Sequence, residues 1–267
     1  MADRLAALML WLRDLDSAAV AVSGGVDSMT LAVIAHRSRH AATTIFHAVS
    51  PAVPPEATER VRRYARSEGW DLQVFDAGEF GDTNYLSNPV NRCFHCKTHL
   101  YGAIADRTSA TLLSGTNIDD LGDFRPGLAA ARTYDVRHPF VEVGIDKAAI
   151  RLIASDLGLR DVAELPAAPC LASRVETGIA IVPADLTAIN RVERALRELL
   201  SPEVVRCRLR ADRIAVELDE ATLATLSETG RHEVHKVVRA AWGDGDRHVS
   251  LAPYRRGSAF LRSRAEV

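Results

Sequence analysis

The sequence predicts an α/β protein: a doubly wound parallel sheet over residues 1–180, followed by a small α+β domain over 181–267. Three observations predict it. Short apolar runs alternate with helical segments through the first two thirds of the chain, as in strands buried on both faces between helices. A glycine-rich turn joins one such run to the long helical stretch after it. From Pro183 onward the pattern changes to one helix, two strand-like runs, a further helix and a last strand.

The elements follow in order. Leu5, Leu8, Met9 and Leu12 recur at helical spacing near the start, and Ala18–Val22 reads as a buried strand. Asp27–Arg37 is helical, Thr43–Val49 a second strand, and Pro54-Pro55 open a helix over Glu56–Ser67. Asp71–Phe75 reads as strand, Cys96–Arg107 as helix and Thr111–Ser114 as strand. Asn117–Pro139 is expected to be a long functional loop, because it lacks periodicity and holds Gly122, Pro126 and Gly127. Arg160–Ile181 reads as irregular. The small domain is expected to hold a helix over Asp185–Leu200, strands at Val204–Arg210 and Arg213–Leu218, one helix over Glu220–Ala240 and a strand at His248–Leu251. Tyr254–Val267 is expected to fray. Ligands of a doubly wound sheet bind beyond the carboxyl ends of its strands, so motifs at those ends carry the chemistry.

Thirty-three basic residues against 35 acidic ones leave a net charge of -2. That balance weighs against a polynucleotide partner, whose proteins usually carry a basic surplus. No apolar run is long enough to span a membrane. The first eleven residues mix Asp3 with Arg4 and lack the build of a secretory signal. A cytoplasmic location is expected, where thiols stay reduced. Four cysteines then read as metal ligands or catalytic groups rather than as a disulfide framework.

Ser23-Gly24-Gly25-Val26-Asp27-Ser28 stands between a strand and a helix. Two glycines let the backbone approach an anion, and a helix N-terminus aims free N–H groups at it. The Ser23 and Ser28 hydroxyls add donors. Asp27 cannot grip phosphate itself and is assigned to magnesium or to orienting the loop. The Gly-Lys-Ser/Thr ending of kinase-type loops is absent. Ser114-Gly115-Thr116-Asn117 closes a later strand and should reach the same edge. Asp119, Asp120, Asp123 and Arg125 crowd the turn after it, and carboxylates that close need a cation among them.

Cys93-Phe94-His95-Cys96 heads a helix between Arg92 and Lys97. Alone, the pair fits a redox dithiol, half a zinc site or part of an iron–sulfur site. Cys170 sits in the irregular Pro169–Arg174 segment, and Cys207 in an apolar–basic alternation typical of a buried strand residue. Three candidate thiolates, Cys93, Cys96 and Cys170, suggest a three-legged cluster. Incidental or zinc-linked cysteines, with His95 or His99, are the competing reading. Arg174, Arg206 and Arg208 are candidates for planar anions, against a solvated basic strand.

The six-residue loop resembles the PP-loop of the ATP pyrophosphatase superfamily. Together with Asn91–Leu100, Gly115–Gly127, Gly144–Gly158 and Pro169–Arg174, and more loosely Arg191-Val192-Glu193 and Arg206–Arg210, it resembles the LarE family of ATP-dependent sulfur transferases. The resemblance implies ATP bound by Ser23, Gly24, Gly25, Asp27, Ser28, Gly115, Thr116 and Asn117, with Mg2+ at Asp27. It implies adenylation of a carboxylate of a pyridinium biscarboxylate mononucleotide, with release of pyrophosphate. Cys170 would be the attacking thiol. Cys93 and Cys96 match members whose three thiolates hold a [4Fe-4S] cluster that relays sulfide. Arg174, Glu193, Arg206 and Arg208 would meet the substrate, and the small domain would assemble a homo-oligomer. Ser114 departs from the aspartate usual before Gly-Thr-Asn. A tRNA-thiolating enzyme, or an adenylating enzyme akin to amidotransferases and NAD synthetase, shares the loop. The first would be expected to show a basic face or an added RNA-binding domain, and the second has no need of the cysteine set.

Overall fold

The computed structural model describes residues 2–39, 42–122, 125–167, 169–243 and 247–261. The chain forms two compact units: residues 1–81 with 91–168, and residues 82–90 with 169–267.

The first unit is an α/β layer structure. Strands β1 (Ala18–Ala21), β2 (Thr43–Ala48), β3 (Asp71–Phe75) and β4 (Thr111–Ser114) form an all-parallel sheet in the order β3-β2-β1-β4. Its helices are α1 (Ala2–Arg13), α2 (Val26–Ser38), α3 (Pro55–Glu68), α5 (Arg92–Ala105), α6 (Gly127–Thr133), α7 (Pro139–Glu142), α8 (Lys147–Asp156) and α9 (Arg160–Ala163). Helix α4 (Thr83–Leu86) belongs to the second unit. Successive strand residues point to opposite faces, and the two apolar clusters divide accordingly. Val20, Ile45 and Leu113 pack with Leu8, Met29, Phe140 and Ile153 on one side. Ala19, Phe46, Phe75 and Leu112 pack with Tyr101, Ile104, Ala130 and Ala131 on the other. Side chains on both faces explain why the strands are apolar runs, and each such burial stabilises by about 1.5–3 kcal/mol for a large aliphatic or aromatic side chain. The register pairs Ala21 with Ser114, so β1 and β4 end level with one another.

The second unit has strands β5 (Val205–Leu209), β6 (Arg213–Leu218) and β7 (His248–Pro253), with β6 antiparallel to β5 and parallel to β7. Helix α10 (Pro183–Leu200) packs on β5 and on α12 (Glu228–Trp242). Leu186, Ile189, Val192, Cys207, Val216, Val234 and Val238 are buried between these elements.

Several boundaries differ from the sequence expectation. Asn117–Pro139 is not one long loop: it holds a 3-10 turn (Ile118–Gly122) and α6. The helix expected over Glu220–Ala240 is two, α11 (Glu220–Thr225) and α12, because the Ser227 hydroxyl accepts from Gly230 N–H and caps a fresh start. The units divide at 168/169 rather than at 180/181, and 82–90 joins the second. Backbone bonds hold it there: Gly178 N–H to Asn88 O at 2.9 Å, and Ile181 N–H to Leu86 O at 2.8 Å. The Asn88 amide adds a bond to Glu176 O at 2.9 Å. Among the described residues no helix is long and apolar enough to cross a membrane.

Candidate functional site

The glycine-rich turn sits where β1 hands over to α2, with Gly25 as the N-cap. Gly24 adopts φ +81, and a Cβ there would lie 2.8 Å from the Ala57 carbonyl oxygen. Only glycine meets both demands. The Ser28 hydroxyl organises the turn: it accepts from Ser23 N–H at 3.1 Å, donates to Gly25 O at 3.2 Å and lies 3.2 Å from Ser23 Oγ. Arg60 from α3 donates to Gly24 O at 2.7 Å. Burial lowers its pKa, with smaller opposing effects from Asp161 and Glu56. Behind the turn, the buried His47 ring bonds Val22 O at 2.8 Å and Thr58 Oγ1 at 2.9 Å. Gly25 carries no side-chain cap bond, so no side-chain cap occupies the N-terminus of α2, the kind of helix end that attracts anions.

The second segment reaches this turn directly. A Cβ on Gly115 would lie 2.8 Å from both the Asp27 carbonyl carbon and the Ser28 nitrogen. Asn117, almost fully buried, accepts from Asp119 N–H at 3.0 Å and donates its own N–H to Asp120 at 3.2 Å. Asp120 pairs with Arg125 at 2.6 Å; Asp123 lies outside the described residues. Asp119 accepts from Lys147 N–H at 2.9 Å, and the Lys147 ammonium pairs with Asp27. Arg125 is thus the cation seen against the carboxylates of this turn, while the Lys147 charge goes to Asp27. Even so, burial raises the Asp27 pKa, against the pull of Lys147. Among the described residues its buried Oδ1 has no hydrogen-bond partner. An orphaned carboxylate oxygen beside an anion cradle fits a hard divalent cation.

Ser114, in place of an acidic residue, joins a different network. Its hydroxyl lies 2.8 Å from His138 Nδ1 and 3.0 Å from Thr116 Oγ1. Burial lowers the His138 pKa, against the pull of Glu142. Sequence reading missed His138 and Arg60. Neither lies in a motif, and only the fold brings His138 to the end of β4.

Cys93 and Cys96 lie half-buried in the first turns of α5, three residues apart and hence on one helix face. Gly127 at the start of α6 comes close to this helix: a Cβ there would sit 3.0 Å from Lys97 Cγ. Cys170 belongs to the second unit and is half-buried. It caps the 3-10 turn Leu171–Arg174, and its carbonyl accepts from Arg174 Nη1 at 3.1 Å. Among the described residues no group of three or more His, Cys, Asp or Glu side chains is arranged to hold a metal. Cys207 is fully buried, and burial raises its thiol pKa well above 9.0.

The arginine set is also in the second unit, where Arg174 and Arg208 have carboxylate partners. Arg174 makes two 3.0 Å bonds to the Glu193 carboxylate, both groups almost fully buried. Glu193 also accepts from Arg197 at 3.0 Å and from Cys207 N–H at 3.0 Å. Burial pushes Glu193 up, yet Arg174, then Arg206, draw it below the usual carboxylate range. Arg208 pairs with Glu217 at 3.0 Å and donates to Ser173 O at 3.1 Å. Arg206 lies over the Tyr254 ring at 5.8 Å, and burial with the nearby Arg174 lowers its pKa.

A four-stranded parallel sheet with a glycine-rich turn and a helix N-terminus at the exit of β1, and a carboxylate–lysine pair beside it, defines the class: a doubly wound α/β protein. No protein-family model matches the sequence. The chain belongs to the same family as the uncharacterized protein slr1717 of Synechocystis, to which it is 35% identical over 74% of its own length and 75% of that protein's. It is 28% identical to the pyridinium-3,5-bisthiocarboxylic acid mononucleotide synthase of Lactiplantibacillus plantarum, over 84% of this chain and 82% of that one. An uncharacterized protein of Methanocaldococcus jannaschii, MJ0830, is 25% identical over 78% and 80%. The match to the synthase supports the LarE family.

Proposed function

We propose that this chain is an ATP-dependent sulfur transferase that converts a carboxylate of a pyridinium biscarboxylate mononucleotide into a thiocarboxylate. The observation that carries the reading is the Gly24–Ser28 cradle, closed from the side by Gly115 and bordered by Asp27 with its orphaned oxygen. Similarity to a synthase named for the bisthiocarboxylic acid product adds the chemical class.

The N–H groups at the start of α2 and the Ser23 and Ser28 hydroxyls hold the pyrophosphate part of ATP. Gly115, Thr116 and Asn117 contact the nucleotide from the end of β4. Asp27 would hold Mg2+, which supplies positive charge against the phosphates. A substrate carboxylate oxygen attacks the α-phosphorus, the bond to the β-phosphate oxygen breaks, and pyrophosphate leaves. The Cys170 thiolate then attacks the acyl carbon, the carbon–oxygen bond to AMP breaks, and AMP departs with that electron pair. Where Cys170 is the donor, loss of its Cα proton and cleavage of its Cβ–S bond leave the sulfur on the substrate and dehydroalanine in the chain; where the three cysteines hold a cluster, sulfide would take the place of that thiolate and leave the chain intact. Arg174, Glu193, Arg206 and Arg208 are assigned to the surroundings of the substrate's anionic groups. A homo-oligomer formed through the second unit belongs to the same reading.

The iron–sulfur expectation rests on Cys93, Cys96 and Cys170. The first two, one turn apart, suit two legs of such a site. Cys170, in the second unit, would supply the third.

Incubation with ATP, Mg2+ and the biscarboxylate substrate tests the proposal. AMP, pyrophosphate and thiocarboxylate are the expected products, and Cys170→Ala should abolish the last. Release of ADP, or thiocarboxylate formation by Cys170→Ala, would overturn it. Intact mass after turnover reads the sulfur source: loss of hydrogen sulfide marks Cys170 as donor. Iron with labile sulfide after anaerobic purification marks the cluster instead.

A further inference from the structure

Helix α12 carries a basic face that the proposed chemistry does not use. Arg231, His232, His235, Lys236 and Arg239 fall on one side of it, and all but the half-buried His235 are exposed. The opposite side is anchored by buried Val234 and Val238. Together with Gly243 these five side chains line an open groove of about 730 Å³. That is the size range of small-ligand sites.

Among the described residues of the second unit the charge in this groove is poorly matched. Among the described residues the one carboxylate recorded against the five is Glu233, 3.6 Å from the Lys236 ammonium on the exposed face. An exposed pair of that length contributes little. Burial lowers the His235 pKa, and repulsion from Arg239, His248 and His232 lowers it further. The groove therefore already disfavours another positive charge, and an anion would relieve it.

The form of the anion follows from the spacing. Residues 231, 235 and 239 advance by about 6 Å per step, so permanent charges at Arg231, Lys236 and Arg239 spread over roughly 12 Å. One carboxylate cannot meet all three; a linear chain of phosphates can. Guanidinium forks at either end suit phosphate oxygens. Among the described residues no Phe, Tyr or Trp lines the groove for a base to stack on. No large apolar side chain lines it either, as insertion into a lipid surface would need.

We propose that the α12 groove is a binding site for a polyphosphate chain, either inorganic polyphosphate or the phosphate tail of a nucleotide, separate from the Ser23–Ser28 loop. Calorimetric titration of the full chain with inorganic tripolyphosphate at low salt tests it, with ATP as a second arm. Replacing Arg231 and Arg239 together by alanine should weaken one binding event by about tenfold or more. Any tripolyphosphate binding at the Ser23–Ser28 loop should persist. The paired lysine substitutions should restore most of the affinity, and circular dichroism should be unchanged in both variants, because these side chains are exposed. Similar weakening for both ligands means that the site reads the phosphates alone, whereas weakening for ATP only assigns the nucleotide tail. Binding that the double alanine variant leaves unaltered, or no binding by the wild-type chain, would overturn the proposal.

Discussion

Gly115 backs directly onto Ser28: a Cβ on Gly115 would lie 2.8 Å from the Ser28 nitrogen and 3.0 Å from its Cα. The end of β4 and the start of α2 are therefore locked by backbone contact, not by adjustable side chains. Gly115→Ala must push α2 or β4 aside. Overpacking of this kind costs about 1–3 kcal/mol, and the displaced N–H groups would no longer converge on an anion. Urea unfolding should show that loss, and nucleotide binding should fall with it. Gly122→Ala, which meets nothing within 4 Å, is the matched control and should change neither.

Asp27 should make the protein less stable as pH rises. Its pKa is raised above 3.8 by burial, in spite of Lys147. A raised folded-state pKa means that the folded chain holds this proton more tightly than the unfolded one. The stability it contributes is complete below the unfolded value and is lost as pH climbs through the folded one. Asp27→Asn removes that titration. Its unfolding free energy relative to wild type should grow from pH 3.5 toward neutrality, and magnesium should stabilise the wild type alone. A difference independent of pH would contradict the assignment.

Much of this was legible because it is local. Val20, Ile45 and Leu113 belong to apolar runs, and the Ser23–Ser28 turn announces itself by two glycines and two hydroxyls between a strand and a helix. What was hidden is what the fold brings together. Lys147 meets Asp27 across 120 residues of sequence, and His138 reaches Ser114 across 24; neither pair has a spacing that sequence can show. The partners of the arginines were hidden in the same way: Arg174 pairs with Glu193 of α10, and Arg208 with Glu217 of β6. The break at Ser227 was in the sequence as a cap residue, masked by the helical periodicity on both sides.

Glu193 should be the most sensitive charged position of the second unit. It balances Arg174 in a nearly water-free setting and also accepts from Arg197 and Cys207 N–H. Glu193→Gln keeps the shape but leaves the Arg174 charge without its counterion. Removing one partner of a buried pair costs about 3–5 kcal/mol. The native pKa is depressed, so the stability Glu193 provides is present above the unfolded carboxylate value and lost as pH falls through the folded one. Chemical denaturation at pH 7 and pH 3 should show the deficit of Glu193→Gln narrowing at the lower pH.

The four thiols should separate by burial. Cys207 lies within β5, fully buried, and burial holds its pKa well above 9.0, so neither access nor thiolate is available in the native chain. Cys93, Cys96 and Cys170 are half-buried. A chromogenic disulfide reagent added to reduced, metal-free protein should titrate three thiols quickly, and the fourth only at the rate of unfolding. Cys207→Ala should leave the fast phase unchanged and abolish the slow one. Cys93→Ser, Cys96→Ser or Cys170→Ser should each remove one equivalent from the fast phase. Fast reaction of a fourth equivalent would mean that β5 opens far more readily than its packing against α10 implies.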